Sequence, residues 1–247
     1  YDFFLFGSVA ALVFNRLFYP DFDPLVGTLL SLSTFAVGFL ARPIGAVVFG
    51  HFGDLVGRKR MLVLSLLLMG GATVAVGLLP TYAQVGVLAP ILLVLCRLLQ
   101  GFAVGGEWGG AVLIVSERAD PARRGFWASW PNVGVPGGQA LSIAVLVAVA
   151  AALPDEAFLS WGWRIPFLVS AVLVVIGLYI RLRIDESPIF QAVRVAREAA
   201  DRARPPLPAL QVLRHYWREV LLVMGARFCE NVTGYIFTVF SLTYATT

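Results

Sequence analysis

The feature that most limits what this chain can fold into is a short charged stretch between two long apolar runs. It reads Gly50-His51-Phe52-Gly53-Asp54-Leu55-Val56-Gly57-Arg58-Lys59-Arg60, with Leu25 to Phe49 before it and Met61 to Leu79 after it. Apolar runs of about 20 residues are long enough to cross a bilayer as helices. A link this short makes the two helices antiparallel neighbours, with the stretch itself expected as a loop. Its three terminal cations mark the cytoplasmic side, because short cytoplasmic loops carry an excess of Lys and Arg.

The same pattern repeats along the chain. Tyr1 to Phe18 reads as most of a first membrane helix, and the acidic link Tyr19 to Pro24 turns it into a second, Leu25 to Phe49, interrupted at Arg42-Pro43. Met61 to Leu79 is the third and roughly Val85 to Ser116 the fourth, longer than a simple crossing requires and so tilted or protruding. Phe126 to Leu153, containing Pro131 and Pro136, is the fifth, and Gly162 to Arg181 the sixth. A polar segment from Leu182 to Arg218 follows, in which Ser187-Pro188 suits the start of an amphipathic helix and Pro205-Pro206 its end. A seventh apolar run spans about Glu219 to Tyr244. The expected domains are a six-helix bundle over 1–183, a cytoplasmic linker over 184–218 and the first helix of a second bundle over 219–247. The fold class is all-α, polytopic membrane protein. A chain that starts with Tyr1 inside an apolar run and stops just beyond another reads as a fragment truncated at both ends.

Composition excludes the common soluble classes. Hydrophobic residues make up 59% and charged residues 14% of the chain, against about a quarter charged in soluble domains. The net charge of +4 is spread over membrane-flanking links, so it implies no nucleic-acid partner. Links after the second, fourth and sixth helices hold nearly every flanking Arg and the sole lysine, Lys59, whereas the others are acidic or uncharged. The even links are therefore expected in the cytoplasm, together with the N-terminus. Cys96 and Cys229 both sit in apolar runs and read as buried small hydrophobes rather than a disulfide. His51 and His215 stand near the cytoplasmic edge without a nucleophile or metal-ligand spacing. No cofactor, metal or enzymatic centre is expected. A retinal protein is excluded because its Schiff-base lysine belongs in the last helix, and Lys59 is in a link.

A charged side chain at mid-bilayer costs roughly 2.5–3.5 kcal/mol on insertion scales, so each needs a partner or a wet cavity. Five stand well inside helices: Asp2, Arg97, Glu107, Arg227 and Glu230. The fourth helix also places Gly101 and Gly105 four apart, and Gly106 and Gly110 likewise, a spacing that admits close helix approach. Asp2 is expected level with Arg97 and paired with it, the pair opening when Asp2 is protonated. Glu107 lies about 15 Å further along the helix at 1.5 Å per residue, either a second proton site or a structural group. Arg227 and Glu230 are three apart on one face; they pair with each other, or Glu230-Asn231 faces the cavity and leaves Arg227 to hold a substrate carboxylate.

The stretch G-x-x-x-D-x-x-G-R-K at Gly50, Asp54, Gly57, Arg58 and Lys59 resembles the loop between helices 2 and 3 of major facilitator superfamily transporters. Where that family has a basic residue directly after the aspartate, this chain has Leu55. The run R-x-x-Q-G-x-x-x-G from Arg97 to Gly105 resembles the superfamily's helix-4 motif, in which the arginine is linked to proton coupling. The extension Gly105-Gly106-Glu107-Trp108-Gly109-Gly110-Ala111 is similar to the metabolite:proton symporter family, which carries organic acids and compatible solutes such as betaines or proline. Tyr1-Asp2-Phe3, Ala41-Arg42-Pro43-Ile44-Gly45, Trp161 to Phe167, Glu186-Ser187-Pro188, and Pro131 with Gly134, Pro136, Gly137 and Gly138 resemble the same family in the same order. Helix 5 lacks the G-P-x-x-G-G pattern of drug antiporters.

The resemblance implies a monomeric secondary transporter of the inner membrane, working by alternating access with two related six-helix halves around a midplane site. It implies a small organic carboxylate or zwitterion and protons as partners, within the lipid bilayer. It further implies a cytoplasmic gate in which Asp54, Arg58 and Glu117 cluster to lock the outward-facing state, with Gly50, Gly53, Gly57, Lys59 and Arg124 in its surroundings. A uniporter or antiporter of the same superfamily, or a seven-helix receptor, is the alternative.

Overall fold

The computed structural model describes residues 1–183, 192, 195, 196 and 214–235; the side chains of residues 227, 230–232, 234 and 235 lie outside that description. The described residues fall into two compact units, 1–200 and 201–247. Five helical stretches of the first unit are long and apolar enough to cross a membrane: Pro24–Val56, Arg58–Leu78, Leu88–Arg118, Pro121–Ala152 and Gly162–Arg183.

A first, shorter helical stretch precedes them. It consists of α1 (Asp2–Val9), a π-helical turn (Ala10–Phe14) and α2 (Asn15–Phe18). Its inner face is the centre of the bundle: Leu5, Phe6, Val9, Val13, Phe14 and Phe18 are fully enclosed. They pack with Val76, Leu93, Trp163 and Phe167 from three other helices. The aromatic rings of Phe14, Phe18, Trp163 and Phe167 meet mainly edge to face, the favoured arrangement for such rings.

The second crossing, α3 (Pro24–Val56), has a clear start: the Asp23 carboxylate accepts from the Leu25 amide at 2.9 Å and Pro24 takes the first helical position. It departs from the sequence expectation twice. Arg42-Pro43 does not interrupt it, since membrane helices tolerate an internal proline. The charged stretch is also not a loop: it stays helical through Val56, and the reversal is confined to Gly57, whose φ of 117° favours glycine. α4 (Arg58–Leu78) starts at the next residue.

Thr81 and Gln84 form a reciprocal capping box at the head of α5 (Tyr82–Val85). Tyr82 hydrogen-bonds the Asp21 carboxylate, which holds its phenol above the usual tyrosine range. Then come α6 (Leu88–Arg118), α7 (Arg124–Ala152), α8 (Asp155–Ser160) and α9 (Ile165–Arg183). Pro131 and Pro136 sit inside α7 without ending it. α6 is the hub, packing along both α3 and α4, while α9 packs on α4. In the second unit, α10 spans Trp217–Tyr235. The expected amphipathic helix from Ser187, the Glu186-Ser187-Pro188 match and the end of the seventh run beyond Tyr235 all lie outside the described residues.

Charge separates the two ends of the bundle. Arg58 meets Glu117, Lys59 Nζ donates to the Leu182 carbonyl at 2.9 Å, and Arg181 donates to the Leu62 carbonyl. The cationic ends of α4, α6 and α9 are thereby gathered together. At the opposite end, Arg164 bonds the Leu79 carbonyl at 3.0 Å near the links that carry Asp21, Asp23, Asp155 and Glu156.

Candidate transport site and gate

The glycines of α6 are where two helices touch backbone to backbone. A Cβ added at Gly101 would fall on the Gly38 carbonyl, and one at Gly105 on the Arg42 carbonyl. From the other side, a Cβ at Gly45 would fall on the Phe102 carbonyl. Gly106 lies against Phe49, and a Cβ at Gly110 would come within 3.0 Å of Leu62. The crossing of α3 and α6 therefore depends on small residues contributed by both helices, and it sets the position of everything α6 carries.

Arg97 follows from that crossing. Its guanidinium is fully enclosed and lies over the rings of Phe3, Phe6 and Phe35 at 4.1, 4.5 and 4.4 Å from their centroids. Phe3 also lies beneath Arg42 at 4.0 Å, so one ring serves two guanidinium groups. Desolvated cation–π contacts contribute about 2 kcal/mol or more each, which helps offset the burial of the charge. Nε donates to the Phe35 carbonyl at 3.3 Å and Nη1 to Gln100 Oε1 at 3.0 Å, whereas Nη2 makes no hydrogen bond among the described residues.

Asp2 is at a comparable depth but turns elsewhere. Its carboxylate accepts from the Ser170 hydroxyl of α9 and interacts with Thr73 of α4. No ion pair joins it to Arg97; the ion pairs among the described residues are Arg58–Asp54, Arg58–Glu117 and Arg181–Glu107. The expected direct Asp2–Arg97 pair is thus absent from this conformation, because the two residues share a level but not a direction around their helices.

Glu107 pairs with Arg181, which also ties α9 to the Leu62 carbonyl of α4. Asp2 and Glu107 both line a cavity of about 430 Å³, with Tyr1, Phe3, Phe4 and Trp108 among its other walls. That volume lies in the range of small-molecule sites. Trp108 Nε1 donates to Asn132 Oδ1 at 3.3 Å, linking α6 to α7. Arg97 is not among the residues that line this cavity.

At the cationic end, Arg58 makes a salt bridge to Glu117 and lies 3.8 Å from Asp54, across the Gly57 reversal on α3. This joins the α3–α4 reversal to the end of α6. Gly50, Gly53, Asp54, Gly105, Gly106 and Gly110 line a second cavity of about 220 Å³ beside it. Gly50 has open space where a Cβ would stand, and Gly53 only ordinary contacts with Met61 and Arg58. Arg124 is exposed at the first residue of α7. Arg227, Glu230 and Asn231 lie on α10, and their side chains are outside the described residues.

Several participants were not singled out from the sequence. Arg181 looks like a membrane-flanking cation until α9 is placed beside Glu107. Phe3, Phe6 and Phe35 look like ordinary apolar residues. Thr73 and Ser170 had a usable signal, as isolated polar residues inside apolar runs.

Comparison with known proteins agrees with this architecture. Residues 1–206 match the Sugar (and other) transporter family. The chain belongs to that family of the major facilitator superfamily. It is 49% identical over 246 residues to the shikimate transporter of Escherichia coli strain K12, covering 100% of this chain and 56% of that protein. It is 46% identical over 246 residues to the inner membrane metabolite transport protein YhjE of the same organism, covering 100% of this chain and 55% of that protein. The proline/betaine transporter of Salmonella typhimurium is 38% identical over 248 residues, covering 99% of this chain and 49% of that protein. The chain thus spans about half the length of these curated relatives. Among solved structures, the partially occluded inward-open xylose transporter XylE from E. coli superposes with a TM-score of 0.67 at 18% identity, covering 96% of this chain and 58% of that one. At that identity the likeness concerns the fold. The relatives are transporters, so the chain belongs to a transporter rather than an enzyme family.

Proposed function

We propose that this chain supplies the first half of a proton-coupled symporter that carries a small organic acid or compatible solute across the inner membrane by alternating access. The observation that carries the reading is Asp2: a carboxyl on the wall of a 430 Å³ cavity, with hydroxyl neighbours and no ion pair among the described residues. Such a group can take a proton from one side and release it to the other as the cavity changes its opening. The substrate class is supported by relatives named for shikimate and for proline and betaine. Arg227, Glu230 and Asn231 are proposed to contribute to the cavity from the second half. Asp54, Arg58 and Glu117 are proposed to form the cytoplasmic gate, with the N-terminus on that same side because the cationic ends of α4, α6 and α9 converge there.

The test uses the full-length transporter in lightly buffered cells. Dicarboxylates, tricarboxylates, shikimate, proline and betaine are added singly while external pH is followed. External alkalinisation with one class is expected and identifies the substrate class. Labelled uptake with no pH change would replace symport by uniport.

A further inference from the structure

Asp2 and Arg97 make no direct contact, yet a line of buried polar groups runs between them. Arg97 Nη1 donates to Gln100 Oε1 at 3.0 Å. Because that oxygen is engaged, the amide nitrogen of Gln100 faces the other way, and it donates to Thr73 Oγ1 at 2.9 Å. The Thr73 hydroxyl has one proton and two acceptors, the Met69 carbonyl at 2.9 Å and the neighbouring Asp2 carboxylate. Thr73, Gln100 and Arg97 are all fully enclosed. Hydrogen bonds join Arg97 to Gln100 and Gln100 to Thr73, whose own proton rests on Met69 with Asp2 beside it, and such networks in a low-dielectric interior polarise one another.

We infer that Thr73 and Gln100 are positioning residues that relay the charge of Arg97 to Asp2, with the Thr73 hydroxyl switching between Asp2 and the Met69 carbonyl as Asp2 loses or gains its proton. This rests on the symport reading and adds two residues to it. An ionised Asp2 accepts the Thr73 proton, and the donors behind it all point the same way, toward the carboxylate. A protonated Asp2 is a poorer acceptor, so the hydroxyl falls back on Met69, one turn earlier in its own helix. Arg97 can then stay fixed among Phe3, Phe6 and Phe35 throughout the cycle, and no guanidinium needs to leave its cage. Of the other groups facing Asp2, Ser170 on α9 donates to it, and Glu107 on α6 acts on it by charge. Arg42 of α3 faces Arg97. α7 has no titratable side chain beyond Arg124.

The test measures the pH profile of substrate uptake by the full-length transporter, with membrane levels quantified for each variant. Donors to a carboxylate favour its charged form, so Thr73→Val and Gln100→Met are each expected to move the uptake midpoint to higher pH by about one unit, ten-fold in proton affinity. The double variant is expected to move it no further than either single one, since both cut the same line. Thr73→Ser, which keeps a hydroxyl, should restore the wild-type midpoint. If Thr73→Val fails to reach the membrane, Gln100→Met makes the same prediction independently. A wild-type midpoint in Gln100→Met, or additive shifts in the double variant, overturns the relay while leaving symport intact. A wild-type protein whose uptake moves no protons overturns the symport reading itself.

Discussion

Substituting Gly101 by alanine in the full-length transporter tests how far the α3–α6 crossing governs the whole first half. In an ordinary helix, glycine to alanine stabilises by about 0.5–1 kcal/mol. At Gly101 the new Cβ falls on the Gly38 carbonyl. That obstacle is backbone, so no rotamer change relieves it and the two helices must separate. Overpacking of this kind costs about 1–3 kcal/mol, and a rigid backbone obstacle belongs at the upper end. The net expectation is a loss of about 2 kcal/mol, or roughly 2–4 °C in melting temperature, because relatives are about twice this chain's length and the usual 2–4 °C per kcal/mol for 150–250 residues is halved at that size. Gly71→Ala serves as the control: it is a helical glycine of α4 with nothing within 4 Å of its added Cβ, and it should be neutral or slightly stabilising. The assay is thermal unfolding of the purified protein in detergent, followed by size-exclusion fluorescence. Equal melting temperatures for the two variants would refute the claim that backbone contact holds α3 against α6.

Two further outcomes follow from the same geometry. Arg181→Met strands Glu107, whose side chain is only 31% exposed, and should destabilise by about 1–3 kcal/mol, less than the 3–5 of a fully buried pair. Adding Glu107→Gln should recover part of that loss, which a double-mutant cycle on melting temperatures would measure. For orientation, single cysteines placed at Arg123 and Glu156 of the full-length transporter, after Cys96, Cys229 and any further native cysteines are replaced, should react with an impermeant maleimide from opposite sides, Arg123→Cys only from the cytoplasm.

The sequence made the helices legible because a bilayer demands long apolar runs, and each predicted crossing of the first unit has a counterpart in the structure. It was misleading where residue type stood in for environment. Gly50, Gly53 and Pro43 read as breakers, but a membrane helix tolerates glycine and proline in its interior, and in this stretch only Gly57 adopts a conformation that ends one. The acids inside the membrane were also legible as functional candidates, since their burial needs a reason. Their partners were not. Depth along a helix follows from counting residues, which put Asp2 level with Arg97. Direction around the axis depends on packing, and that turned Asp2 toward Ser170 and Arg97 toward three phenylalanines. Arg181 was missed for the same reason, its link to Glu107 being a contact between helices 74 positions apart in sequence.

The central claim is that Asp2 is the carboxyl that couples substrate movement to the proton. It is tested most directly with Asp2→Asn in the full-length transporter reconstituted into proteoliposomes. Two quantities are compared: accumulation of labelled substrate driven by an imposed proton gradient, and exchange of substrate across the membrane with no gradient. The account predicts that the variant exchanges substrate but no longer accumulates it in response to the gradient. Gradient-driven accumulation equal to wild type, with the same dependence on pH, would contradict it.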